Sequence, residues 1–328
     1  MRLSSNTPSI LARFPHFDDA KPVAEIEANQ LDPETFQREY VRLNRPIVVR
    51  GAAKHWVACS EWGLPRLQRR LSRVTDLFSR SQGLVESPLR EYAGRRKVGE
   101  ERDKLYRQRP RGKAAHALSF LERLDRGDEC TAYGVSLTTR GIEPLRKDLG
   151  PVDFEPNLLN LKSFLYDARM FLYRGGYTDW HFHYADETIT VQIRGTKDFL
   201  LLPTDRATFD TLWKTCKSYG FWEDAALENT ELQSLMPYRL RLYPGDAVYL
   251  PVFWWHAVQP GNQDFGVTIA FPFAASYAVQ FDPRFKAARW NIAQAWRKRR
   301  YRRLLPALLL GGCVALFRHP FAPPHINT

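Results

Sequence analysis

Two histidines one residue apart, His181 and His183, stand just ahead of a strand-like run, Thr188-Ile189-Thr190-Val191-Gln192-Ile193, that closes at Gly195. No other stretch constrains the chain as much. Residues i and i+2 of a strand share a face, so His181 and His183 are expected to project together. Asp186 and Glu187 follow within four residues of the second histidine. Two imidazoles beside a carboxylate suit a borderline metal such as Fe(II), Zn or Mn.

A second stretch, Tyr243 to His256, carries a turn at Pro244-Gly245-Asp246, a short apolar strand, a break at Pro251 and a histidine behind Trp254 and Trp255. A lone histidine in such a setting is commonly a core residue with its hydrogen bond satisfied. Read with the His-x-His pair about seventy residues upstream, His256 is expected to complete a three-histidine cluster on neighbouring strands.

At 328 residues, with 44% hydrophobic and 26% charged side chains, the chain can bury a full core. Its cysteines, Cys59, Cys130, Cys216 and Cys313, form no C-x-x-C pair, which argues against a disulfide framework or a cysteine zinc site. Met1 to Phe17 lacks a continuous apolar stretch, so a cytoplasmic protein is expected. The net charge of +12 is segregated. Arg66 to Lys113 holds fifteen basic and six acidic residues, and after Asp282 ten basic residues follow with no acidic one. No nucleic-acid motif accompanies these segments, and a nucleic-acid partner is not expected.

Asp32, followed by Pro33, marks a helix start running to about Val41, and Pro46 to Arg50 reads as a strand. Residues 62–80 and 114–126 have helical spacing, with an arginine-rich loop over 86–113 between them. Further strands are expected over Met170–Arg174, Thr188–Arg194, Asp198–Leu202, Arg239–Tyr243, Ala247–Leu250 and Gly266–Phe271, with helical material at 206–217 and 222–235. Short strands with Gly and Pro punctuation predict a mainly β architecture with flanking helices. Three regions follow: an N-terminal helical and strand extension over 1–130, a core over 131–282, and a basic, apolar helical tail over 283–328. The tail places six basic residues between Arg297 and Arg303 before the apolar tract Leu304–Phe317. Fourteen residues fall short of the roughly twenty that a spanning helix needs. The tract suits a homodimer contact or a peripheral membrane contact.

Gly175, His181, His183 and Glu187 resemble the first cupin motif, G-x5-H-x-H-x3-E, and Gly245, Pro251 and His256 the second, G-x5-P-x4-H. Arg45-Pro46-Ile47-Val48-Val49-Arg50-Gly51, Trp56, Trp62 and Glu143-Pro144-Leu145-Arg146-Lys147-Asp148 extend the resemblance over roughly residues 30 to 275. With Gly195-Thr196-Lys197-Asp198-Phe199 and Trp254-Trp255-His256, the chain is most similar to the JmjC, or cupin-like, hydroxylases. That resemblance implies a double-stranded β-helix (jelly-roll) core and a dioxygenase using Fe(II) and 2-oxoglutarate. His181 and His256 take the positions of two metal ligands, and His183 falls where the family has a carboxylate. His183, Glu187 or Asp186 is left to complete the set. Lys197 matches the residue that holds the distal carboxylate of 2-oxoglutarate, with Thr178 and Tyr133 at supporting hydroxyl positions. Thr188 and Ala270 stand where asparagines are often found. The implied substrate is a protein, peptide or small molecule. The alternatives are a 2-oxoglutarate-independent metal cupin with three histidines and Glu187, and a non-catalytic binding module.

Overall fold

The computed structural model describes residues 11–275 apart from 75–76, 82–83, 86–113, 116, 128–129, 164–166, 176, 184–185, 204, 220–230 and 262–264. The loop expected over 86–113, most of the helix at 222–235 and the tail over 283–328 therefore lie outside the described residues. Fifteen strands are described, in chain order β1 (Lys21–Pro22), β2 (Glu25–Glu27), β3 (Ile47–Arg50), β4 (Leu77–Ser81), β5 (Leu84–Val85), β6 (Ala114–Ala115), β7 (Cys130–Ser136), β8 (Arg169–Arg174), β9 (Tyr177–His181), β10 (Asp186–Arg194), β11 (Lys197–Leu202), β12 (Tyr238–Leu242), β13 (Ala247–Leu250), β14 (Trp255–Pro260) and β15 (Gly266–Ala274).

They form two mixed sheets. One has the order β1-β12-β11-β14-β9-β5 and the other β2-β3-β13-β10-β15-β8-β7-β4-β6. The last eight strands make the core, with β8, β15, β10 and β13 antiparallel in one sheet and β9, β14, β11 and β12 antiparallel in the other. Consecutive strands cross repeatedly between the sheets, the wiring of a jelly-roll. The N-terminal strands extend these same sheets: β3 pairs with β13, β4 with β7 and β1 with β12.

The strand β10 shows why the sequence folds this way. Its threonines, isoleucines and valine favour extended backbone, and eight of its nine residues are buried, from Asp186 to Ile193. Ile189, Val191 and Ile193 pack outward against the N-terminal elements, in a cluster with Phe36, Ile47, Trp56, Leu67 and Phe120. Thr188, Thr190 and Gln192 face the other way, into the space between the sheets. That interior is apolar at one end, where Val48, Phe199, Leu201, Leu240, Val248, Leu250 and Trp254 meet. A third cluster, with Leu200, Leu202, Phe209, Phe253 and Trp255, packs Arg206–Tyr219 onto the outer face of the smaller sheet.

Asp32 caps its helix: Oδ1 accepts from the Thr35 N–H at 2.9 Å, and Pro33 takes the first turn. The helical expectation over 62–80 is cut short. The helix spans Leu64–Leu71, where Leu67 and Leu71 are buried, and Leu77–Ser81 instead forms β4 against β7. Pairing with an available sheet edge overrides local helical spacing there. Among the described residues no helix is long and apolar enough to cross a membrane.

Candidate metal centre

His181 is the last residue of β9 and lies directly opposite His256 of β14. Opposed residues of an antiparallel pair point to the same face. His256 is in turn opposite Leu201 of β11, which belongs to the interior cluster, so both imidazoles face inward. His183 arrives differently from its expected place on a strand face. The chain leaves β9 after His181 to cross to β10 in the other sheet, and His183 sits in that connection. Ring centroids are 4.0 Å apart for His181 and His256, 4.9 Å for His183 and His256 and 5.7 Å for His181 and His183. The ligand nitrogens all lie within 4.8 Å of one another.

Neighbouring groups set the ring orientations. His256 Nδ1 is 3.0 Å from the Trp254 carbonyl, which can only accept, so Nδ1 carries the proton and Nε2 keeps its lone pair. His183 Nδ1 is held at 2.8 Å by the Thr188 hydroxyl, again leaving Nε2 to the cluster. The two connections are also tied together. Phe253, at φ 69°, donates its N–H to the His183 carbonyl at 2.8 Å. Left-handed backbone at a phenylalanine costs on the order of 1–2 kcal/mol, which burial of its ring in the outer cluster offsets. Burial pulls His183 down to about 3, helped by the neighbouring His181 and Arg169, and pulls His256 well below the usual histidine range for the same chief reason. Both are neutral at pH 7, the state in which imidazole binds a metal.

Lys197 opens β11, and its side chain enters the same interior. Its ammonium donates to Thr268 Oγ1 at 3.2 Å and stands over the rings of Tyr173, 4.4 Å away, and Phe171, 5.7 Å away. Among the described residues no carboxylate forms an ion pair with it. Desolvation brings its pKa down to about 7.

Residues 33–278, which carry these histidines and Lys197, match the model of the cupin-like domain. The chain belongs to the cupin-like domain family. No protein of curated function matches it.

In this cupin-like domain the residues fit a divalent ion: three imidazoles converge, and those of His183 and His256 are neutral with Nδ1 held by a neighbour. Glu187 is not part of the group. It shares the outward face of β10 with Ile189, where it accepts a hydrogen bond from Tyr249. Burial pushes its carboxyl up to about 8. Strand alternation makes this unavoidable, because a residue one place from Thr188 points to the opposite side of the sheet. Asp186 is buried on the inward side but is not in the histidine group either.

Thr178 pairs with Val258 while His181 pairs with His256, so three residues of β9 span two of β14. That bulge returns Thr178 to the inward face. Tyr133 lies on β7, and its side chain is outside what is described. Trp255 packs in the outer cluster, whereas Trp254 faces the interior and donates its Nε1–H to the Asn44 carbonyl at 2.9 Å. Sequence reasoning missed Tyr173, Gln192 and Thr268, which surround Lys197. For Gln192 the signal was present in β10, where polar and apolar residues alternate from Thr188 to Arg194.

Proposed function

We propose that this cupin-like domain is an Fe(II)- and 2-oxoglutarate-dependent oxygenase that hydroxylates a side chain of a protein or peptide. The observation that carries the reading is Lys197: an inward ammonium with no carboxylate beside it among the described residues, in the same interior as three metal-competent histidines. A buried cation of this kind is stabilised by an anion that arrives with the ligand. Spacing sets the ligand's size. Thr188 holds His183 at one end of β10, and Gln192 belongs to the lysine's surroundings four residues on, about 13 Å along the strand. The ammonium already lies at the Gln192 end of that gap, so a five-carbon dicarboxylate reaching from it toward a metal on the histidines has a suitable length.

His181, His183 and His256 would hold the iron, which supplies oxygen activation when bound. The ligand set is neutral, so the ion keeps its full positive charge and favours an anionic keto-acid ligand over water alone. Lys197 then fixes the distal carboxylate, and the apolar wall of Phe199, Leu201 and Trp254 limits access of water.

A second reading rests on His183 itself. An all-histidine set without a carboxylate also suits a metal cupin that does not use 2-oxoglutarate. Incubation with Fe(II), 2-oxoglutarate and candidate peptides, followed by mass spectrometry, separates the two. The oxygenase reading expects a gain of one oxygen atom that depends on 2-oxoglutarate. Oxidation at the same rate without the keto acid would support the second reading.

A further inference from the structure

The hydrogen bonds around Lys197 close into a network whose proton positions can be worked out. Gln192 Nε2 lies 2.6 Å from the Arg194 carbonyl and 3.3 Å from the Gly195 carbonyl. Those oxygens only accept, so this end of the amide is the NH2 group. Its other hydrogen goes to the Tyr173 hydroxyl oxygen at 2.8 Å. Gln192 Oε1 accepts the Thr268 hydroxyl proton at 2.7 Å. Thr268 Oγ1 has therefore spent its only hydrogen, and it can only accept from Lys197 and, at 3.1 Å, from Tyr173. Among the described residues, the donors a ligand can draw on are two ammonium hydrogens of Lys197 and, once turned away from Thr268, the hydroxyl hydrogen of Tyr173. That hydrogen stays in place at neutral pH, because burial pushes the phenol up to about 12.

The chain makes room for this arrangement. Gly266 lies opposite Tyr173 across β15 and β8, and a Cβ there would come within 2.2–2.7 Å of the ring and hydroxyl atoms. Any larger residue at 266 would displace the tyrosine.

We propose that Tyr173 is the second contact to the anionic end of the ligand held by Lys197, and that Gln192 is the positioning residue that aims its hydroxyl. On binding, the tyrosine turns its hydrogen from Thr268 to the carboxylate, while Gln192 keeps the oxygen in place. This rests on the 2-oxoglutarate reading above, and its failure is separable from that of the reading.

The test is calorimetric titration of the full-length, Co(II)-loaded protein with 2-oxoglutarate. Tyr173→Phe keeps the ring beneath Lys197 and removes only the hydroxyl, so the fold is retained. The expected result is binding weaker by about tenfold or more, as for loss of one hydrogen bond to a charged group, with Co(II) affinity unchanged. Gln192→Leu should weaken binding too. Because it acts through the tyrosine, the double variant should bind no worse than Tyr173→Phe alone. If Lys197→Ala loses binding while Tyr173→Phe matches the parent, the tyrosine contact is overturned and the lysine stands. Additive losses in the double variant would overturn the positioning role of Gln192. If the parent does not bind 2-oxoglutarate, or Lys197→Ala binds as well as the parent, the cosubstrate reading falls and this inference with it.

Discussion

Replacing Lys197 with methionine should make the ligand-free protein more stable, and the gain should depend on pH. The lysine's folded pKa is depressed to about 7 from 10.5, with desolvation as the cause. Between those two values the unfolded chain binds more protons than the folded one, so this group makes stability rise with pH across pH 7 to 10.5. Below 7 the full penalty of holding a desolvated ammonium is present. The shift sets a ceiling of roughly 5 kcal/mol, and partial exposure of the residue reduces the expectation to about 2–3 kcal/mol. Urea denaturation at pH 6 should therefore show Lys197→Met more stable than the parent, with the gap closing by pH 10. Saturating 2-oxoglutarate should reverse the order, since a ligand at a thousand times its Kd adds about 4.1 kcal/mol to the protein that binds it. Equal stability of the two proteins at pH 6 and pH 10 would refute the claim that the ammonium is desolvated in the interior.

His256→Ala should abolish stoichiometric Co(II) binding with circular dichroism unchanged, and retention of parental affinity would remove His256 from the ligand set. Glu187→Gln should leave Co(II) affinity intact, because the carboxyl lies on the outward face with Tyr249. Its folded pKa is raised from 4.5 to about 8, so in the parent it lowers stability as pH rises through that window, and the glutamine variant should lose that slope. Gly266→Ala should destabilise by about 1–3 kcal/mol through overlap with the Tyr173 ring, measured by thermal melting.

Much of the barrel was legible because its strands are short, β-branched and punctuated. Ala247–Leu250 falls where its pattern places it, and the expected strands over 188–194 and 266–271 sit within β10 and β15. The histidine pairing across β9 and β14 was not legible, since it depends on a register that only the folded sheets define. His183 is instructive. An i, i+2 spacing reads as one strand face, yet the pair straddles the crossing between sheets and meets for that reason instead. In β10 the polar alternation could be taken for a solvent-facing side. Both faces are buried here, and the polar face lines the site while the apolar one packs on the N-terminal helices. That Lys197 has no carboxylate partner among the described residues has no sequence signature, because it is a property of everything around the lysine.

On the proposed function, His181, His183, His256 and Lys197 bind one metal and one 2-oxoglutarate together. Anaerobic addition of 2-oxoglutarate to the Fe(II)-loaded protein, followed by visible absorption, tests it most directly. A weak metal-to-ligand charge-transfer band should appear and saturate at one equivalent, be absent in His256→Ala, and require a higher 2-oxoglutarate concentration in Lys197→Ala. Tight Fe(II) binding with no such band at any 2-oxoglutarate concentration would contradict it.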